Sequence, residues 1–306
     1  MDHPLIYMEN SELRARVIQF LKSSYSVRRN GNIVLVCGGN CATHMRARFR
    51  DYCSTNHQDL EIFFPEFAMQ SYFSEPASGP FDIADFEKMA GDLSHAIVIF
   101  PEAPGSFAET GYFSMVKGLA SKTILALDSY WQGNDSFISM GPARKIAASS
   151  HFSAVIQISY QEPAFSDIIR RINRIDFTKS RKALVAESFG ALSNYEMFCL
   201  IHECFNLLGV ATLADVEYIL RSLFKARIRT NTVRQLSSIL IGAGYLQPVQ
   251  GSEYGHYRTN GHKTNLLRVR DGHADARTQI RLDMTTMYIS ADDEFCRIQE
   301  AAAHAS

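Results

Sequence analysis

Five short apolar runs, separated by segments with helical periodicity, dominate the first half of the chain. The third run is unbroken and rich in β-branched residues, which is typical of a parallel strand buried on both faces. The runs lie at residues 33–36, 60–64, 96–100, 123–127 and 154–158. Apolar residues recur at helical spacing between them, for example over 44–52 and 83–90. This alternation predicts an α/β fold built on a doubly wound parallel sheet.

The pattern changes after a basic stretch at residues 170–188, where helical segments follow one another closely. Helices are predicted over 195–208, 212–224 and 230–241, with Thr212 and Thr230 at the start of the last two. Two β-prone segments, 245–249 and 254–258, come next, and a last helix is predicted around 284–298. Three helices and a hairpin in this order are typical of a winged helix. We therefore predict two domains, residues 1–180 and a smaller winged-helix domain with a C-terminal extension, residues 181–306.

Charge is distributed unevenly, although the 306-residue chain has a formal net charge of −1. Residues 221–281 hold eleven Lys and Arg against three acids. A basic region on a neutral protein favours a polyanionic partner. Within the winged helix, Arg227, Arg229, Arg234 and Arg258 are the candidate nucleic-acid contacts. A solvated basic face and a protein-docking module remain as alternatives.

Cysteine spacing and hydropathy indicate where the protein works. The six cysteines form no CxxC pair, so we expect reduced thiols and no metal site. The N-terminal residues show no signal-peptide pattern. No apolar run reaches about 18 residues, the length that predicts a membrane span. We expect a cytoplasmic protein with no membrane partner.

Candidate chemistry gathers where the apolar runs end. The first run ends in CGGN, and the third continues into PEAPGSFAE. Because right-handed crossovers place the carboxyl ends of these strands side by side, both loops should face one ligand crevice. Adjacent glycines permit a close backbone approach to a ligand. The candidate binding residues are Gly38, Gly39 and Asn40 on one side, Pro104, Gly105 and Ser106 on the other, and Glu66 after the second strand.

Glu109 is the candidate catalytic residue, and two interpretations of it are open. Ser106-x-x-Glu109 matches a capping box, in which the carboxylate only secures the helix. A carboxylate in the first turn of a helix at a crevice could instead attack an anomeric carbon or stabilise an oxocarbenium ion.

The number of carboxyl groups bears on the substrate. A retaining glycosidase normally adds a second carboxyl as acid, for which Glu66, Glu87 and Asp92 are candidates. Nicotinamide leaves NAD from a ring that is already cationic, so its departure needs no proton. One well-placed carboxylate therefore favours NAD over a neutral purine nucleoside.

CGG at the first strand end, FFPE at the second and FPEAPGSFAETGYFS at the third resemble the nucleoside deoxyribosyltransferase-like effector proteins of bacterial retrons. The resemblance implies an antiphage toxin that cleaves the N-glycosidic bond of NAD, a substrate rather than a cofactor. It implies a reverse transcriptase and its branched RNA–DNA (msDNA) as partners, and a higher-order homo-oligomer within that complex.

The same resemblance assigns roles to individual residues. Glu109 matches the catalytic glutamate of these effectors, Gly38 and Gly39 match the ligand-binding turn, and Ser106 lies in the loop of that glutamate. His95 stands where the family has an aspartate, so the resemblance assigns no role to this position. Two other functions stay open: a nucleoside or nucleotide N-glycosidase or deoxyribosyltransferase, and a non-catalytic, nucleotide-sensing DNA-binding regulator.

Overall fold

The structure is a computed structural model. It describes residues 2–28, 32–68, 83–133, 135–153, 155–175, 181–250, 252, 255–263, 265–291 and 293–304. These residues form two compact units. The sheet unit contains the described residues of 32–65 and 83–175, and the helical unit contains those of 2–28, 66–68 and 181–304.

The elements are numbered along the chain. The strands are β1 (Tyr25–Arg28), β2 (Ile33–Cys37), β3 (Glu61–Phe63), β4 (Ala96–Ile99), β5 (Thr123–Asp128), β6 (Val155–Ile158), β7 (Arg181–Leu184), β8 (Val210–Ala211), β9 (Leu246–Pro248), β10 (Tyr257–Thr259) and β11 (Leu267–Val269). The helices are α1 (Ser11–Ser23), α2 (Met45–Asn56), α3 (Ile83–Leu93), α4 (Pro104–Met115), α5 (Lys117–Ala120), α6 (Phe137–Met140), α7 (Pro142–Ser149), α8 (Phe165–Ile172), α9 (Asn194–Leu208), α10 (Leu213–Phe224), α11 (Thr230–Gly242), α12 (Ala274–Ile289) and α13 (Asp293–His304).

The sheet unit is built on a five-stranded sheet in the order β3-β2-β4-β5-β6, with every pair parallel. Every residue of β2, β4 and β5 is buried, as their continuous apolar sequences predict. Phe49 of α2, Phe100 after β4 and Phe165 of α8 pack together, with ring centroids 5.4 to 6.2 Å apart. The predicted α/β fold with a parallel sheet is confirmed.

Strand order determines where a ligand could bind in the sheet unit. The chain leaves β2 toward β3 on one side and returns to β4 on the other side, so the order reverses between β2 and β4. Such a reversal opens a crevice at the carboxyl ends of the two strands.

The helical unit contains the three helices and two strands expected of the C-terminal half, and also strand β8, which was not predicted, in the order α9, β8, α10, α11, β9, β10. Strands β8, β10 and β9 form an antiparallel sheet in that order. Thr212 caps α10 as predicted, since its hydroxyl accepts a hydrogen bond from the Asp215 amide. Residue 254, the first of the second predicted strand, lies outside the described residues.

Two features of this unit differ from the sequence predictions. The last helix is not one segment around 284–298, because α12 ends at Ile289 and α13 begins at Asp293. The N-terminal residues, which the predicted domain 1–180 includes, group with the C-terminal half in the structure. The reason is strand pairing: β1 lies between β7 and β11 and pairs with both in antiparallel fashion.

Candidate active site

The two predicted loops meet at the carboxyl ends of β2 and β4. Cys37 and Ile99, the last residues of these strands, are paired in register. The Phe100 amide donates to the Cys37 carbonyl at 2.9 Å, which continues the pairing into the loops. The predicted convergence of CGGN with the PEAPGSFAE segment is therefore confirmed.

Glu102 joins the two loops. Its Oε1 accepts a hydrogen bond from the Gly39 amide at 3.0 Å, and its Oε2 accepts one from the Met45 amide at 2.9 Å. Met45 is the first residue of α2, so the carboxylate caps that helix and complements its dipole. Glu102 is thus a structural anchor of the crevice rather than a solvated loop acid.

Gly38 and Gly39 are required by packing inside this loop. A Cβ on Gly38 would come within 2.8 Å of Glu102 Oε1, and one on Gly39 within 2.0 Å of His44 Nδ1. His44 Nδ1 itself accepts a hydrogen bond from the Cys41 amide at 3.1 Å. The neighbouring Asn40 is exposed, and its Oδ1 accepts a hydrogen bond from the Arg46 guanidinium.

Ser106 serves the backbone of its own loop. Helix α4 begins at Pro104, with Ala103 as its cap, so Ser106 is the third helical residue and is not the cap. Its hydroxyl accepts hydrogen bonds from the amides of Glu102 and Ala103 at 3.1 and 3.0 Å. Ser106 is 1% exposed, so its side chain holds the loop in shape and does not face solvent.

The start of α4 corrects two expectations about Glu109. Glu109 is the sixth helical residue, so it lies in the second turn and not in the first. The capping-box interpretation is therefore wrong, because that box requires the glutamate three residues after the cap. A side chain in the second turn also gains little from the helix dipole, whose effect falls off within the first turn.

Gly105 and Glu109 lie one turn apart on α4. The two residues are four apart on α4, so they share one face of the helix. A helical side chain points toward the amino end and covers the turn before it. A Cβ on Gly105 would meet no atom within 4 Å. Pro104 and Gly105 are exposed, and Glu109 is half-buried.

The other candidate acids lie elsewhere. Glu66 is one of the helical residues 65–68 and groups with the helical unit, so its predicted part in substrate binding stays a prediction. Asp92 lies in the last turn of α3, near the amino end of β4. Its Oδ2 is 3.6 Å from Lys88 Nζ. His95 directly precedes β4, at the opposite end from the crevice. Its burial lowers its pKa to about 4, which leaves a neutral ring that packs edge-to-face on Phe152.

Sequence reasoning missed a second link across the strand ends. Gln132, in the loop after β5, donates to the Pro101 carbonyl, and its Oε1 accepts from the Asp128 amide at 2.9 Å. Asp128, the last residue of β5, is 7% exposed. The apolar run at residues 123–127 is followed directly by an acid, and this pattern could have marked Asp128 as a candidate site residue. No local pattern pointed to Gln132. Tyr130 and Trp131, 77% and 78% exposed, stand in the same loop.

The four predicted nucleic-acid residues differ in their freedom to bind. Arg227 and Arg229 are exposed and lie in the segment before α11. Arg234 Nε lies 3.8 Å from Glu217 Oε1, so an internal carboxylate already holds it. Arg258, on β10, donates to Gln247 Oε1 at 3.2 Å. The structure thus leaves Arg227 and Arg229 as the better placed pair.

Two classes of site are not seen in the described residues. No group of three His, Cys, Asp or Glu side chains there is arranged to hold a metal ion. Within the same ranges, none of the helices combines the length and apolar character needed to cross a bilayer.

Comparison with known proteins identifies the family. The family model of the STM3845 retron effector protein matches residues 42–248, which is more than half of the chain. A retron Ec73 protein of Escherichia coli is 23% identical over 256 residues, covering 76% of this chain and 80% of its own length.

A second relative matches a shorter part. A retron Ec86 protein of Escherichia coli is 32% identical over 120 residues, which is 38% of either chain. Both relatives are named for a proposed ribosyltransferase and DNA-binding role. Since the family model covers most of the sheet unit and continues into the helices that follow it, the chain belongs to the STM3845 retron effector protein family.

Proposed function

We propose that this retron effector is an N-glycosidase that hydrolyses NAD, with Glu109 as the catalytic carboxylate. The observation that carries the proposal is the position of Glu109 in the second turn of α4, the helix that follows β4, with Gly105 one turn before it on the same face. This face begins at the carboxyl end of β4, beside the reversal of strand order. Ligands bind at such points in open α/β sheets.

The reaction needs little from the protein beyond this carboxylate. The bond between ribose C1′ and the nicotinamide nitrogen breaks, and its electron pair neutralises the cationic ring. Glu109 either attacks C1′ or stabilises the oxocarbenium ion that develops there. Water then adds to C1′, and ADP-ribose, nicotinamide and one proton are the products.

The surrounding residues position the substrate in this proposal. Gly38, Gly39 and Asn40 form the opposite wall, held in place by the Glu102 carboxylate. Exposed Pro104 and Gly105 form the rim next to Glu109. Preorganised walls of this kind contribute by fixing the reacting bond relative to the carboxylate.

The test is Glu109→Gln, measured as nicotinamide release from NAD by the effector with its reverse transcriptase and msDNA present. The amide can neither attack C1′ nor balance a positive charge, so we expect turnover to fall by at least about 10² to 10³. The melting temperature should change little, because the second-turn position is not part of a cap. Glu162→Gln, which alters an exposed loop acid of the same unit, is the matched control and should keep full activity.

Near-normal nicotinamide release by the Glu109→Gln protein would refute this role. NAD binding without turnover in the parent protein would instead favour the nucleotide-sensing regulator.

A nucleoside N-glycosidase or deoxyribosyltransferase is the second candidate, and Asp128 is the observation that favours it. Asp128 is the last residue of β5, the strand paired with β4, and its carboxyl group could protonate a neutral leaving group. The relatives' names also point to ribosyl transfer. Release of free base from purine or pyrimidine nucleosides, with no nicotinamide from NAD, would select this function.

We further propose that residues 194–259 are a winged helix that binds nucleic acid of the retron, the msDNA held by the reverse transcriptase. The element order α9, β8, α10, α11, β9, β10 supports the winged helix, and exposed Arg227 and Arg229 support the contact. As part of the same proposal, the protein forms a higher-order homo-oligomer and acts in the cytoplasm. Both points rest on membership of the retron effector family.

Replacing Arg227 and Arg229 together by Ala should weaken binding to msDNA and lower the salt slope of binding by up to about 2. Glycosidase activity toward saturating NAD should not change. Arg170→Ala, which removes an exposed arginine from the sheet unit, is the control. An unchanged affinity at low and high salt would indicate protein docking instead.

A further inference from the structure

The sheet β11-β1-β7 of the helical unit has one apolar and one basic face. Tyr25 and Val27 of β1 are completely buried, as is Leu184 of β7. Because side chains alternate along a strand, Ser26 and Arg28 point to the opposite face. Directly opposed residues share a face, so their partners Arg181, Ala183 and Arg268 lie there too.

Three arginines therefore cluster on this outward face. Arg28 is paired in register with Arg181 on β7, and Arg268 on β11 is paired with Ser26. Like charges placed opposite one another destabilise a sheet. The pKa of Arg181 is lowered, first by partial burial and then by the nearby charges of Arg28 and Arg268. The fold thus maintains a repulsive arrangement that an anion would relieve.

Carboxylates do not compensate this charge within the described residues. None of Arg28, Arg181 and Arg268 forms an ion pair with an acid there. Arg28 Nε is buried and has no hydrogen-bond partner among the described atoms. A buried guanidinium N–H without an acceptor is costly, so the position is suited to an additional ligand atom.

The face is also concave. A cavity of about 340 Å³ is lined by Ser26, Arg181, Arg268, Val269, Arg270 and Asp271. Ser26 is small, so the middle strand forms a low floor between the arginines on the two outer strands. Arg270 is partly committed, since it donates to the Ser23 carbonyl at 3.0 Å. Among the described residues of the lining, Asp271 is the one acid beside the three arginines Arg181, Arg268 and Arg270.

We propose that this concave face binds the phosphate groups of a nucleic-acid strand, at a site separate from Arg227 and Arg229. Guanidinium groups match phosphate oxygens in geometry and bind them with two parallel hydrogen bonds. No aromatic ring among the described residues of β1, β7 and β11 points to this face, so these three strands offer bases no platform to stack on. The contact is with the backbone and is independent of sequence.

The experiment uses the full chain and a labelled single-stranded oligonucleotide, with binding measured at about 50 and about 200 mM salt. Replacing Arg181 and Arg268 together by Ala should weaken binding about tenfold and lower the salt slope by about 2. Ser26→Asp is the second variant, and it places a carboxylate on the floor without removing an arginine. It should give a similar loss, and Arg170→Ala should give none.

Two further arms separate this proposal from the others. The loss should also occur in a protein that carries Arg227→Ala and Arg229→Ala, so failure of the winged-helix contact leaves this test intact. Binding of inorganic diphosphate at millimolar concentration is measured as well, to test whether the site takes small phosphates instead of a nucleic-acid strand. Diphosphate binding that the variants abolish, with oligonucleotide affinity unchanged, would overturn the nucleic-acid assignment. Isotherms of both variants that coincide with the parent's at both salt concentrations would overturn the site itself.

Discussion

At the scale of single residues, Glu102 and the glycines around it shape the candidate site. The Glu102 carboxylate accepts amide hydrogen bonds from residues 39 and 45, which lie on the other side of the crevice. A hydrogen bond to a charged acceptor contributes about 1.5 to 3 kcal/mol. Gly38 and Gly39 let the backbone approach this carboxylate, whereas Gly105 keeps a surface clear.

Gly39→Ala and Gly105→Ala should therefore act in opposite ways. The Gly39 variant must displace His44, because the new Cβ would lie 2.0 Å from its Nδ1. We expect a loss of about 1 to 3 kcal/mol in the free energy of unfolding. The Gly105 variant gains helix propensity and has space, so its stability should be equal or higher by up to about 1 kcal/mol.

Activity distinguishes the two roles. If the space above Gly105 admits the substrate to Glu109, Gly105→Ala should raise KM for NAD several-fold in a protein of unaltered stability. Urea unfolding and nicotinamide release measure the two effects. A stable, fully active Gly105→Ala protein would show that this face of α4 does not bind substrate.

At the scale of elements, a buried capping box fixes the start of α10. Thr212 Oγ1 accepts from the Asp215 amide at 3.2 Å, and Asp215 Oδ2 accepts from the Thr212 amide at 2.7 Å. Asp215 Oδ1 also accepts from the His3 amide at 2.9 Å. The cap thereby ties the first described residues of the chain to a helix of the C-terminal half.

Thr212→Ala should cost about 1 to 2 kcal/mol in the free energy of unfolding, because it leaves an orphan amide and removes a partner of the buried Asp215. Thr285→Ala, on the exposed face of α12, is the control and should change stability by less than about 0.5 kcal/mol. Urea midpoints compare the two proteins. Equal midpoints for both variants would mean that water replaces the cap without cost.

At the scale of the whole molecule, three buried histidines couple both units to pH. Burial lowers the pKa of His3 and of His202 in the helical unit, and of His95 in the sheet unit, each to about 4. These rings are neutral in the folded protein at pH 7. The unfolded chain takes up protons at them near the ordinary value of 6.5.

Stability should therefore be fully present above pH 6.5 and fall as the pH decreases toward 4, since only the unfolded chain binds the extra protons in this window. Each ring contributes a slope of about 1.4 kcal/mol per pH unit. His95→Gln removes one of these titrating rings and keeps a hydrogen-bond donor. Between about pH 6 and about pH 5, the free energy of unfolding of this variant should therefore fall by about 1.4 kcal/mol less than that of the parent. Exposed His151→Gln should leave the profile unchanged. Urea unfolding at both pH values is the measurement, and a parent profile flat between them would contradict the buried neutral rings.

The sequence by itself determined the parallel sheet, the meeting of CGGN with the segment after β4, and the cap at Thr212. These features depend on local composition, because an apolar run or a capping residue carries its signal within a few positions. Right-handed crossovers then leave few possible topologies. Pro104 also carries a local signal for the start of α4, since proline is favoured at the first position of a helix.

Only the tertiary structure decided the rest. Glu102 and Gly39 are 63 residues apart, and β1 pairs with residues more than 150 positions away, so no local pattern encodes either contact. The basic face of β1, β7 and β11 exists only because three distant strands align in one register. The physical reason is that hydrogen-bond partners and surface charge depend on which strands become neighbours, and burial of Tyr25, Val27 and Leu184 fixes that choice.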